Sequence, residues 1–213
     1  MADACARAGR AEDDVRLVAV SKTFPPARVR ELMDCGHTLF GENRVQEALD
    51  KIPEVGPGAR WHMIGHLQKN KARHVVGAFE LIHGVDSVAL AREVDRRAAA
   101  RGVTQQILIQ LNISVEETKF GVPESDLGSL LDTVAGLPAL ALQGLMAIPP
   151  PVVDPEDSRR WFARLRERRD ESASRLGRPL PELSMGMTDD FEVAIEEGAT
   201  LIRVGRAIFG ERG

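Results

Sequence analysis

Lys22 ends the apolar run "RLVAVSK" at residues 16–22, where a strand-like segment would be expected to stop. Lysine is seldom fully buried, so a lysine in this position either reaches water along its own stem or is put to use. By strand alternation Lys22 shares a side with Val18 and Val20. If that side faces the inside of a barrel, the amine lies in the barrel mouth, where desolvation lowers its pKa and makes it a nucleophile towards a carbonyl. The plainer reading is a lysine that snorkels from a strand end.

Four further stretches carry residues of chemical interest. In "LSMGMTDDFEVAIEEG", residues 183–198, a strand gives way to Ser184, Gly186 and Thr188 and then to a helix opened by Asp189 and Asp190. Hydroxyls and backbone N–H groups there suit a phosphate, although Thr188 as a helix cap and two acids answering the helix dipole explain the same residues. In "LIRVGRAIFGER", residues 201–212, Arg203 sits within an apolar strand and Gly205 permits close backbone approach to a ligand. A guanidinium inside a barrel requires an acceptor, either an internal carboxylate or a ligand atom. "FGENRVQEALDK", residues 40–51, puts Glu42 and Asn43 at the end of the second strand, beside Lys22 in a barrel of this order; Asn43 also suits a helix N-cap. His62 and His66 suggest a metal, but four residues of extended strand separate them by about 13 Å, so no metal is expected.

The elements that must position these residues alternate along the chain. Strands are predicted at 16–22, 38–42, 60–65, 80–85, 105–113, 140–148, 182–187 and 201–205. Helical spacing occupies 26–35, 43–52, 69–78, 87–101, 123–136, 155–176 and 189–197, with Gly36, Gly102, Gly136, Gly177 and Gly198 near helix ends, where left-handed caps favour glycine. Strict alternation implies right-handed βαβ units and a parallel sheet, and about eight units in this length suit a closed (β/α)8 TIM barrel, with a doubly wound open sheet as the competing architecture. Nothing helical is predicted after the last strand, so a helix from the N-terminal "MADACARAG" is expected to close the ring.

Composition narrows the function classes. The 213 residues are 43% hydrophobic and 28% charged with a formal net charge of −4, which lacks the basic excess that draws a protein to nucleic acid or anionic lipid. No stretch divides the chain, so one domain spanning 1–213 is expected. No segment resembles a signal peptide or a membrane span, which points to the cytoplasm. Cys5 and Cys35 fit no disulfide or zinc pattern, and the chain contains no tyrosine, a common catalytic acid or base.

Taken in order, "LVAVSKTFP", "FGENRVQEALDK", "WHMIGHLQKNKAR", "ILIQLNIS" with "KFGV", "LQGLMAIP", "LSMGMTDD" and "IRVGRAIFGER" resemble the pyridoxal phosphate homeostasis protein family, whose barrel is that of the alanine racemase N-terminal domain. The resemblance runs from about Leu17 to Arg212. It implies that Lys22 forms the internal aldimine with pyridoxal 5'-phosphate, and that Ser184 with Met185, and Gly205 with Arg206, hold the phosphate. It further implies that Arg203 faces the pyridine nitrogen, that Asn43 lies near the ring and that Met146 packs against it. Arg206 departs from the small hydroxyl residue of many relatives, and the N-terminus looks shorter than theirs.

An arginine on the pyridine nitrogen leaves that nitrogen unprotonated and the electron sink weak. Alanine racemase offsets this with a second base, a tyrosine, which this chain lacks. The expected function is therefore reversible capture of the cofactor in its homeostasis, as a carrier or buffer without dedicated turnover, with pyridoxal-dependent apo-enzymes as conceivable recipients. The alternatives are a weak amino-acid racemase or lyase using Lys22 alone, and a Schiff-base aldolase on a phosphorylated substrate. Polar helix faces give a closed barrel no evident need of a partner, so a monomer is expected.

Overall fold

The computed structural model describes residues 1–114 and 120–210. Lys119 of the "KFGV" motif and Arg212 of the last motif lie outside the described residues. Nine strands are formed among those described: β1 Arg16–Val20, β2 Leu39–Glu42, β3 Arg60–Met63, β4 Leu81–Val85, β5 Gln105–Asn112, β6 Val122–Pro123, β7 Leu140–Met146, β8 Glu182–Ser184 and β9 Leu201–Val204. All pair in parallel in the order β4-β3-β2-β1-β9-β8-β7-β5, and β4 pairs with β5 to close an eight-stranded barrel; β6 only extends β5, through Leu111 opposite Val122. The closed barrel therefore replaces the open sheet that the alternation also allowed.

The helices are α1 Ala2–Arg7, α2 Pro26–Asp34, α3 Val45–Val55, α4 Ala72–Val75, α5 Val88–Arg101, α6 Glu124–Ala135, α7 Arg159–Leu176, α8 Phe191–Glu196 and α9 Arg206–Phe209. Their apolar stripes cover the outside of the barrel: Ala19, Phe40, Ile82, Ile107, Leu145, Leu183 and Ile202 face this outer layer and are at most 1% exposed. Alternate strand residues fill the interior, where Val18, Val20, Leu39, Ile64, Leu81, Leu108, Met146 and Leu201 form a separate apolar cluster. Burial of each such large side chain is worth about 1.5–3 kcal/mol, so both layers are needed to offset the entropy of ordering the chain.

The N-terminal helix takes the expected closing position. Ala4 and Cys5 of α1 are buried, Arg7 pairs with Glu192 and Glu196 of α8 at 2.6 and 2.8 Å, and Arg10 donates to the Ile195 carbonyl. Three local expectations are corrected. A helix, α9, does follow the last strand, and buried Phe209 anchors it by stacking on Phe24 at 5.0 Å. Segment 69–78 forms only a 3₁₀ turn, Lys69–Lys71, and the single turn α4 before Gly77 takes φ 75°. Gly102 and Gly177 are left-handed caps as predicted, but Gly136 has φ −89°, its turn being closed by N–H bonds from Gly136 and Leu137 to Thr133 and Val134.

Candidate functional site

Most predicted strands overshoot at their C-terminal ends, and the residues they lose form the mouth of the barrel. β1 stops at Val20, because Ser21 and Lys22 enter a tight turn in which Thr23 adopts φ 69°. β8 stops at Ser184, because Gly186 has φ 86° and packs so tightly that a Cβ there would lie 2.5 Å from the Ala194 Cβ. These departures gather Lys22 and Asn43, after β1 and β2, with Gly205 and Arg206 after β9 around a cavity of about 210 Å³. Val20 and Ile64 form its floor, Arg203 lines it from within the barrel, and Ile148, Met187, Thr188 and Asp189 complete the rim.

Asn43 is fixed by a close backbone approach: a Cβ on Gly65 would come within 2.2 Å of the Asn43 carbonyl oxygen, so the turn after β3 must carry glycine there. The Asn43 Oδ1 is buried and has no hydrogen-bond partner among the described residues. A buried, unpaired amide oxygen costs about 1–3 kcal/mol, a cost that a bound polar group would relieve.

Arg203 shows how the barrel interior was solved. Its Nη1 donates to the Ser184 hydroxyl at 2.6 Å and its Nη2 to the Ala147 carbonyl at 3.0 Å; no internal carboxylate is hydrogen-bonded to it among the described residues. Burial lowers its pKa to about 10, which leaves it charged at neutral pH. Ser184 also meets His83 Nδ1 at 2.9 Å, and His83 Nε2 meets His62 Nδ1 at 3.0 Å. Because a guanidinium only donates, the Ser184 oxygen accepts from Arg203 and its proton points to His83 Nδ1. That choice places the His83 proton on Nε2, directed at His62 Nδ1, and the His62 proton on its own Nε2, which is buried without a partner. A one-directional chain thus crosses the barrel from Arg203 to His62.

The chain requires both imidazoles to be neutral. Burial is the main cause that pushes His62 down to about 4 and His83 well below the usual histidine value. Both take up protons more readily once unfolded, so between about pH 6.5 and 4 the unfolded state binds more protons and stability is lost as pH falls. His62 alone accounts for about 3 kcal/mol over that window. Urea unfolding at pH 7 and pH 4.5 should show this loss, and the double variant His62→Gln/His83→Gln should have a flatter profile. Parallel profiles would refute the neutral relay.

The sequence-predicted residues thus divide into two groups. Lys22, Asn43, Arg203, Gly205 and Arg206 converge on the cavity, whereas Met146, Ser184 and Met185 do not line it. Met146 is sealed in the apolar interior, the Ser184 hydroxyl is taken by Arg203 and His83, and the Met185 N–H donates to the Leu201 carbonyl. Met187, Thr188 and Asp189 line the cavity instead, and Arg206 is ion-paired to Asp189. His62 and His66 do not converge: His66 pairs with Asp86 at 3.2 Å and stacks on Phe120.

A second cluster lies just behind the mouth, on the outer side of the strands. Lys51 of α3 is 4% exposed and its Nζ donates to the Ser21 carbonyl, Glu42 Oε1 and Glu47 Oε1 at 2.7, 2.6 and 3.0 Å. Ser21 Oγ also donates to Glu42 Oε1, and the Thr23 N–H donates to Glu47 Oε1, so both sides of Lys22 are held. Burial raises the Glu42 pKa, against the pull of hydrogen bonds from Lys51 and Ser21. Sequence reasoning gave Lys51 no role; its signal was a lysine on the helix face that also buries Val45, Ala48 and Val55.

Comparison with known proteins decides the family. The alanine racemase N-terminal domain family matches residues 5–213. The pyridoxal phosphate homeostasis protein of Aquifex aeolicus is 47% identical over 210 residues, covering 98% of this chain and 92% of that one. The protein of the same name from Pseudomonas aeruginosa is 43% identical over 99% and 90% of the two chains. This chain belongs to the pyridoxal phosphate homeostasis protein family. Among solved structures, PipY of Synechococcus elongatus with PLP bound superposes with a TM-score of 0.87 at 38% identity, covering 98% of this chain and 99% of PipY. For a member of the pyridoxal phosphate homeostasis protein family, a cavity lined by one lysine, two arginines and an orphaned amide oxygen is the natural place to look for the cofactor.

Proposed function

We propose that this protein binds pyridoxal 5'-phosphate through Lys22 and acts in cofactor homeostasis as a reversible carrier, without a dedicated turnover reaction. The observation that carries this reading is the convergence of Lys22, Asn43, Arg203 and Arg206 on one cavity in a chain of this family. The cofactor supplies an aldehyde, which a lysine amine captures reversibly with loss of water. The orphaned Asn43 Oδ1 suits a hydroxyl donor on the ring, and Arg203, pinned by Ser184 and Ala147, suits the ring nitrogen as a donor that stays charged.

The phosphate falls to Gly205 and Arg206 with Thr188, since the first N–H groups of a helix such as α9 have no intrahelical acceptor. Ser184 bears on the cavity through its hydrogen bond to Arg203, and Met146 through the interior apolar cluster that it shares with Val20 and Ile64. Absence of turnover is inferred from the lack of tyrosine, which leaves Lys22 without a second base of that kind, and from an arginine that cannot protonate the ring nitrogen strongly. Pyridoxal-dependent apo-enzymes are the proposed recipients. No helix among the described residues is long and apolar enough to cross a membrane, which fits the proposed cytoplasmic role.

Purified protein loaded with the cofactor should absorb at about 420 nm, and borohydride should bleach this band and fix one label on the peptide containing Lys22. A label on Lys51 or Lys69 would refute the site. Turnover of D- or L-amino acids well above that of free cofactor would refute the carrier role.

A further inference from the structure

The rim of the cavity carries an opposed pair. Arg206 and Asp189 both line it, one directly after β9 and the other in the loop after β8, and their side chains are ion-paired. Both are more than half exposed, so the pair is held only weakly and can be exchanged for another partner. The cavity's other arginine is committed inward, to Ser184 and the Ala147 carbonyl. Arg206 is therefore the guanidinium available at the rim for an anion, and a carboxylate already occupies it.

We propose that Asp189 is a release determinant: it competes with the ligand's phosphate for Arg206 and keeps a phosphorylated ligand exchangeable. The inference rests on the cofactor reading given above. A phosphate monoester carries a charge of about −1.5 to −2 near neutral pH, so it outcompetes a single carboxylate for Arg206 while being repelled by that carboxylate once displaced. Asp189 then lies beside the bound phosphate as a like charge and as the group that reclaims Arg206 when the phosphate leaves. Fixed charge at this position thus favours return of the ligand over permanent retention, which suits a carrier. The pair is also legible only in three dimensions, because its members lie 17 residues apart, Asp189 in the loop after β8 and Arg206 at the start of α9.

The test compares wild type, Asp189→Asn, Arg206→Ala and the double variant, each loaded with pyridoxal 5'-phosphate and, separately, with pyridoxal. Loss of the band at about 420 nm is followed after dilution into a scavenger of free aldehyde. Asp189→Asn should slow release of the phosphorylated ligand about five- to tenfold and leave pyridoxal release unchanged; when Arg206 is already alanine the effect should shrink to what the direct repulsion alone supplies. A purely structural role for Asp189 would alter both ligands alike. Release of the phosphorylated ligand at the wild-type rate, or an equal change for pyridoxal, overturns the inference while leaving the cofactor reading intact. No band in any protein overturns the cofactor reading, and the inference with it.

Discussion

Replacing Lys22 by alanine is expected to abolish the borohydride-reducible cofactor and reduce cofactor retention on the order of 100-fold. The contacts that remain are noncovalent: Asn43, Arg203, Gly205 and Arg206 still line the cavity. The variant should therefore bind weakly and depend on the phosphate, retaining pyridoxal far less well than its phosphate ester. The fold should persist in the variant, because the backbone on either side of the half-buried Lys22 stays held, the Ser21 carbonyl by Lys51 and the Thr23 N–H by Glu47. Mass spectrometry after borohydride treatment decides the matter. One added cofactor per alanine variant would mean that another lysine does the capture; the nearest by role, Lys51, lies behind the strands with three acceptors already engaged.

The barrel was legible in the sequence because its signals are local. A buried strand followed by an amphipathic helix leaves its pattern within some 25 residues, and repeating the unit leaves only a few topologies open. Strand ends were less legible, since they depend on backbone conformations such as the positive φ of Thr23 and Gly186. Lys22, Asn43, Arg203, Gly205 and Arg206 were legible as cavity residues through the resemblance to a family and through their positions at or near strand ends. The relay from Arg203 to His62 was not, for a physical reason. Ser184 and His83 lie 101 residues apart, and only the stagger of the closed barrel brings them within hydrogen-bond distance. The same stagger buries Ser184 as an interior partner of Arg203, so a residue expected at the ligand is instead hydrogen-bonded to one that lines the cavity.

Lys51→Met is expected to cost about 3–5 kcal/mol of stability and to weaken cofactor capture as well. The side chain keeps its apolar stem in the variant but loses its charge, and Glu42, with no exposed surface, then retains only the Ser21 hydroxyl among its two hydrogen-bonding partners. An uncompensated carboxylate in that position is the dominant cost. Its pH dependence has a definite sign. Burial already raises the Glu42 pKa above the unfolded value, so the native state holds its proton to higher pH than the unfolded chain does, and stability falls as pH rises through that window. Removing Lys51 raises the folded value further, so the deficit of the variant should be larger at pH 8 than at pH 5. The double variant Glu42→Gln/Lys51→Met should recover part of the loss, since no lone buried charge remains. Denaturant unfolding of wild type, Glu42→Gln, Lys51→Met and the double variant measures the cycle, and a Lys51→Met deficit below about 1 kcal/mol at pH 8 would refute it. Capture separates positioning from stability: Lys51 holds the Ser21 carbonyl and steadies Glu47, which holds the Thr23 N–H, so losing Lys51 frees the backbone on both sides of Lys22. If the double variant regains stability but not the rate of cofactor capture, Lys51 aims the lysine that does the chemistry; if both return together, its role is to neutralise Glu42 alone.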